Sequence, residues 1–168
     1  MRDNIILIGM PGAGKSTLGV VLAKILNYDF LDADLLIQQQ SDKTLQRLID
    51  SLGPDGFIEV ENQVLSNVQC DRTVISTGGS AVYSDAAMKH LATLGPVVYL
   101  QTSLPELEKR LEDFSERGVV MRNSEIAGLK DLYEERVPLY EKYATITVNV
   151  DNLTITEAAR KVAAAVTD

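Results

Sequence analysis

Ile5-Ile6-Leu7-Ile8-Gly9-Met10-Pro11-Gly12-Ala13-Gly14-Lys15-Ser16-Thr17 is the stretch on which the reading of this chain turns. A short apolar run stops at a glycine, and Gly9 to Ser16 then fits the pattern G-x-x-x-x-G-K-[ST], followed by a helical pattern from Lys15. Strand, glycine-rich turn and helix in that order make a cradle for phosphate. Backbone N–H groups of Gly12, Ala13 and Gly14 converge on phosphate oxygens where few side chains intervene, and the helix start adds its positive dipole end. Lys15 is expected to reach the β- and γ-phosphates as a point charge. The hydroxyl of Ser16, with Thr17 beside it, is expected at the Mg²⁺ that accompanies the nucleotide.

Outward from this motif, short apolar runs alternate with longer helical patterns. Tyr28–Leu31, Thr73–Ser76, Val97–Leu100 and Thr145–Val150 read as further strands. Helices are predicted over Lys15–Leu26, Leu35–Gln40, Thr44–Leu52, Phe57–Asn67, Asp85–Thr93, Leu104–Phe114, Ile126–Tyr143 and Thr154–Val166. Near-continuous apolar strands are buried on both faces, which is the mark of a parallel sheet. The alternation predicts a three-layer α/β fold with a five-stranded parallel sheet and ligands at the strands' carboxyl ends. One domain is expected over 1–168: a core of 1–33, 68–112 and 129–168, an acceptor-binding region 34–67, and a polar, glycine-punctuated lid 113–128.

Composition narrows the class. The chain has 168 residues, 45% hydrophobic and 24% charged, with a net charge of −8. An acidic balance argues against a nucleic-acid partner, whose affinity comes from a cationic surface. No apolar run reaches the roughly 20 residues that span a bilayer, so no membrane association is expected. Met1-Arg2-Asp3-Asn4 and the short run behind it lack the features of a signal peptide. The single cysteine, Cys70, excludes a disulfide framework and suits a reducing cytoplasm. A cytoplasmic monomer is the expectation. His90 and Cys70 sit away from every motif. Glu106/Glu108 and Glu134/Glu135 read as solvated helix faces.

The nucleotide motif leaves the second substrate open. The chain is short for a motor or transporter, and it has no Asn-Lys-x-Asp guanine reader. Small kinases remain, and further motifs point the same way. Asp32-Ala33-Asp34, Phe57 with Glu61, Gly78-Gly79, Arg117 and Arg136-Val137-Pro138-Leu139-Tyr140 occur in that order. Together with the phosphate cradle they resemble the shikimate kinase family nearly end to end. The resemblance implies a nucleoside-monophosphate-kinase-like fold and Mg²⁺-dependent transfer of the ATP γ-phosphate to a hydroxyl of a small carboxylic acid, shikimate first. It implies that Asp32 holds Mg²⁺ beside Ser16 and that Asp34 orients the attacking hydroxyl. Gly78 and Gly79 would offer N–H groups to the acceptor, and Arg136 would pair with its carboxylate. Arg117 would counter charge on the transferring group, and Arg110 would stack on adenine opposite the loop Asp151–Leu153.

Three positions depart from the family's pattern. Phe57-Ile58-Glu59-Val60-Glu61 carries Ile58 where the family has a second carboxylate-clamping arginine; Ser80 stands at the end of the glycine run; and Arg117 precedes Gly118 instead of proline. Loss of one charge-assisted hydrogen bond, about 1.5–3 kcal/mol, weakens acceptor binding about ten- to a hundredfold or more. It also leaves Glu61 without its cation, so Glu61 is expected to titrate upward or to find another positive group. Two alternatives follow. One is a hydroxylated amino acid such as homoserine, its ammonium on Glu61 or Glu59; the other is a non-catalytic nucleotide-binding regulator.

Overall fold

β1 (Ile5–Ile8) is buried along its whole length, and the reason is topological. It lies in the middle of a five-stranded sheet of order β2-β3-β1-β4-β5, with β2 at Asp29–Asp32, β3 at Thr73–Ser76, β4 at Val97–Gln101 and β5 at Ile146–Asn149. Every pairing is parallel, as the continuous apolar runs predict. The computed structural model describes residues 3–110 and 128–168. The expected lid lies outside these except for Gly128, and so does Arg117.

Helices cover both faces. On one side α1 (Lys15–Leu26) and α7 (Ile155–Thr167) bury Leu18, Leu22, Ala159 and Val162 against Leu7, Val98 and Leu100. Close approach needs Gly19, because a Cβ there would lie 2.6 Å from the ring of Phe30. On the other side α4 (Asp85–Leu94) and α6 (Leu129–Tyr143) pack Met88, Leu91, Leu132 and Tyr140 on Ile6, Ile8 and Tyr99. Between β4 and α6 runs α5 (Leu104–Arg110). A third, smaller core joins α2 (Ala33–Ser41) to α3 (Leu45–Ser66) through Ile37, Leu48, Phe57, Ile58 and Val64.

Several boundaries move by a few residues from the sequence reading, and two of the differences bear on the site. β2 begins one residue later, because the N–H of Tyr28 is taken by the carbonyl of Ala23 at the end of α1. The shifted register pairs Asp32 with Ser76 and so carries Asp32 to the end of the sheet. The two helices expected over 44–67 form one run, Leu45–Ser66, that breaks at Gly53, whose φ of 71° and ψ of 173° leave the helical region just before Pro54. α7 carries a capping box, in which the hydroxyl of Thr154 accepts from the N–H of Glu157 and the Glu157 carboxylate accepts from the N–H of Thr154.

Candidate active site

The turn after β1 bends through Gly12 (φ 86°) and Gly14 (φ 90°), both in the left-handed region that favours glycine. This delivers the chain to the first turn of α1, whose free N–H groups face the carboxyl ends of β1, β2 and β3. Lys15 is buried, and its ammonium donates to the carbonyls of Gly9 at 2.7 Å and Met10 at 2.9 Å. Burial lowers its pKa to about 8, although the carboxylate of Asp34 pulls the other way. The loop thus holds its lysine folded back until a stronger acceptor than two carbonyls arrives.

At the same strand ends the hydroxyl of Ser16 donates to Oδ2 of Asp32 at 2.8 Å and lies 3.4 Å from that of Ser76. The other oxygen of Asp32 accepts from the N–H groups of Asp34 and Leu35, capping α2. Asp32 therefore both starts a helix and faces the cradle. Hydroxyl and carboxylate oxygens of this kind suit Mg²⁺, which takes few protein ligands and completes its shell with phosphate and water. Among the described residues there is no group of three or more His, Cys, Asp or Glu able to hold a metal by itself. Arg110 reaches over the loop, its guanidinium 3.4 Å from the carbonyls of Gly12 and Ala13 and 3.0 Å from Oε1 of Glu106.

A cavity of about 360 Å³ connects the cradle to a second set of groups. Lys15, Ser16 and Thr17 lie at one end, and Asp34, Gly78, Gly79, Ser80 and Arg136 at the other. Leu45 and Phe57 supply an apolar wall. Arg136 is only 1% exposed and has no carboxylate partner among the described residues. Its Nε donates to the hydroxyl of Tyr83 at 3.2 Å, and its guanidinium lies 5.3 Å from the centre of that ring. The Tyr83 hydroxyl donates in turn to Glu135. One turn along α6, the hydroxyl of Tyr140 donates to the carbonyl of Gly79 at 2.7 Å and pins the glycine turn.

Glu61 is fully buried and accepts from the hydroxyl of Ser80 at 2.7 Å. Burial raises its pKa to about 7, against the pull of the Ser80 hydrogen bond. The pKa of Asp34 is also raised, by burial first and then by the charge of Asp32.

The cradle, Asp34, the glycine turn and Arg136 line one cavity, Asp32 adjoins it through Ser16 and Arg110 lies over the loop, while Arg117 lies outside the described residues. Glu61 is next to the cavity but does not line it, and Glu59 is exposed on α3. Glu106 and Glu135 are not solvated face residues: each engages a side chain of the site. Tyr83, Ser76 and Leu45 carry no motif signal, since what places them is tertiary. His90 makes a structural contact only, its Nε2 lying 2.8 Å from the carbonyl of Val68.

Comparison with known proteins gives a consistent result. A family model described as shikimate kinase matches residues 11–167. A shikimate kinase of Clostridium botulinum type A is 37% identical over 166 residues, covering 95% of this chain and 97% of the relative. One from Pasteurella multocida is 38% identical over 152 residues, covering 89% and 87%. Among solved structures, the Acinetobacter baumannii shikimate kinase in complex with shikimate superposes with a TM-score of 0.85 at 30% identity, over 96% of this chain and 91% of that one. A Bacteroides thetaiotaomicron shikimate kinase gives 0.80 at 28% identity, with both chains covered completely.

Proposed function

The chain belongs to the shikimate kinase family of ATP-dependent kinases, and on that premise we propose that it transfers the γ-phosphate of ATP to a hydroxyl of shikimate, as a step of aromatic amino acid biosynthesis. The observation that carries this reading is the shared cavity: a phosphate cradle with Lys15 at one end, and at the other the buried guanidinium of Arg136, which has no carboxylate partner among the described residues. A nucleotide-binding regulator has no use for the second group.

Phosphoryl transfer asks a protein mainly for alignment and for positive charge at the phosphates. Backbone N–H groups from Gly12 to Thr17 hold the β- and γ-phosphates. Lys15 leaves the carbonyls of Gly9 and Met10 for the phosphate oxygens, which also favour its charged form. Arg110 stacks on the adenine, with Glu106 holding its guanidinium. Ser16 and Asp32 would hold Mg²⁺, which when bound would supply charge neutralisation for the phosphates. At the other end Arg136 pairs with the acceptor carboxylate, Gly78 and Gly79 offer N–H groups, and Phe57 and Leu45 pack on the acceptor's apolar face. Asp34, whose raised pKa suits proton uptake, orients the attacking hydroxyl and accepts its proton. Arg117 counters charge on the transferring group. We take residues 34–67 as the acceptor-binding region and the protein as a cytoplasmic monomer; among the described residues no helix is long and apolar enough to cross a membrane.

Coupled measurement of ADP release with ATP, Mg²⁺ and shikimate tests the reading. Shikimate-dependent ADP and a phosphate monoester in the mass spectrum are the expected outcome. Tight ATP binding with no ADP from any hydroxy acid would refute it.

A further inference from the structure

Tyr83 closes the single turn of 3-10 helix, Ala81–Tyr83, that follows the glycine turn directly. Its ring is half-buried and packs on the core of Ile37, Leu48, Phe57, Ile58 and Val64. The same core holds Phe57 at the cavity wall, so the tyrosine is anchored on the acceptor side. Its hydroxyl lies against α6, where it accepts from Nε of Arg136 at 3.2 Å and donates to Oε2 of Glu135.

The order of donors leaves this hydroxyl one arrangement. A guanidinium only donates and an ionised carboxylate only accepts. The single hydrogen of Tyr83 therefore goes to Glu135, and a lone pair faces Nε. Burial raises the Tyr83 pKa above its ordinary value, which keeps that hydrogen in place near neutral pH. Hydrogen bonds in series polarise one another, so a hydroxyl that donates to a carboxylate is the better acceptor for Nε.

Glu135 and Arg136 are neighbours in sequence, yet no ion pair joins them. A direct pair would hold the guanidinium still but would also compete with an incoming carboxylate. A hydroxyl between the two keeps the first effect and avoids the second. Nη2 of Arg136 has no hydrogen-bond partner among the described residues, so the bond from Nε is a main hold on the plane of the group. That plane matters, because a guanidinium takes a carboxylate as a flat fork. A long side chain that must find its orientation on binding loses affinity to rotamer entropy. One turn along α6, the hydroxyl of Tyr140 gives its hydrogen to the carbonyl of Gly79 at 2.7 Å. Tyr140 thus places the glycine turn, and Tyr83 places the guanidinium beside it.

We propose that Tyr83, and Glu135 acting through it, are positioning residues for the acceptor: together they fix the plane of the Arg136 guanidinium at the cavity and leave its charge for the acceptor carboxylate. The proposal rests on the kinase reading above and adds two residues to that site. Neither lines the cavity, so their effect falls on acceptor binding and not on the transfer step.

The test is steady-state kinetics of the full chain with ATP, Mg²⁺ and shikimate. Tyr83→Phe keeps the ring and its packing and removes only the hydroxyl. It is expected to raise the KM for shikimate about three- to tenfold, the scale of one ordinary hydrogen bond. Its kcat and its KM for ATP are expected within about twofold of the parent. Glu135→Ala, on the outer side of the pair, is expected to raise the shikimate KM about threefold. Glu135→Gln still offers the hydroxyl an oxygen and is expected to stay within about twofold. A shikimate KM near the parent's in both Tyr83→Phe and Glu135→Ala overturns the proposal. So does a KM for ATP that rises as much as that for shikimate, because a general loss of structure moves both. Equal shikimate KM values in Glu135→Gln and Glu135→Ala overturn the part assigned to Glu135. Nucleotide binding by the unaltered chain with no ADP from shikimate removes the parent reading, and this proposal with it.

Discussion

The two ends of the cavity handle their polar groups in opposite ways. At the nucleotide end every charge has an internal partner: Lys15 sits on two carbonyls, Asp32 on Ser16 and two N–H groups, Arg110 on Glu106. At the acceptor end Glu61 and Arg136 are buried deeper and satisfied less. The nucleotide end is a preformed socket whose own bonds must be exchanged for phosphate, so binding there is a trade of like for like. At the acceptor end neither Glu61 nor Arg136 has an ion-pair partner within bonding distance among the described residues, and packing holds both in place.

The largest expected effect tests the socket. Lys15→Met removes the side-chain charge that the loop itself aims at the phosphates, and turnover should fall roughly 10³-fold, the scale of losing a buried electrostatic stabiliser. The fold should persist, since Lys15 is tied only to its own loop, and circular dichroism checks this. An activity loss below tenfold would mean that the cradle is not where the γ-phosphate reacts.

Next comes the cost of unpaired charge at the other end. Glu61 has a folded-state pKa of about 7, above its ordinary 4.5. Below pH 4.5 both folded and unfolded states carry the proton, and the carboxyl is no burden. As pH rises toward 7 the unfolded chain sheds its proton first, and stability falls. Above 7 the loss levels off, at roughly 3 kcal/mol. Glu61→Gln does not titrate, so its stability relative to the parent should climb between pH 4.5 and 8 by up to that amount. Urea melts at several pH values measure it. A pH-independent difference would show that Glu61 has a partner after all.

Arg136→Met should raise the acceptor KM about ten- to a hundredfold, the value of one charge-assisted hydrogen-bond pair. ATP affinity measured by calorimetry should stay within about twofold, because among the described residues no hydrogen bond joins the guanidinium to the cradle. Equal weakening of both substrates would erase the distinction between the two ends.

How much of this was legible follows the same division. The cradle is local: strand, glycines, Lys15 and Ser16 are contiguous, so periodicity and one motif locate it. The parallel sheet was legible because β1 is apolar throughout and β3 and β4 carry short apolar runs, Val74-Ile75 and Val97–Leu100, whereas β2 slipped by a residue since a backbone bond from Tyr28 to Ala23 decides its start. The acceptor end is assembled from α2, α3, the glycine turn and α6, and only the order of weak motifs hinted at it. That Glu61 would be left unpaired and titrate upward could be inferred from Ile58. That Ser80 would take one of its oxygens could not, because the contact joins residues 19 apart in the chain. Glu106 and Glu135 looked like solvent-facing charges because a single sequence does not say which arginine or tyrosine lies across from them.

The smallest effect is expected at Arg110, where the socket meets solvent. Its side chain is 26% exposed and its partner Glu106 is 18% exposed, so the pair contributes little stability by itself. What it does is hold a flat guanidinium over the loop, where an adenine ring can stack. Arg110→Ala should raise the KM for ATP about two- to fivefold with kcat unchanged, and the acceptor KM should not move. Glu106→Gln should give a smaller change in the same direction, because the guanidinium stays but loses its tether. If Glu106→Gln weakened ATP as much as Arg110→Ala, orientation rather than contact area would set the arginine's contribution. The socket would then depend on a surface ion pair as much as on its backbone.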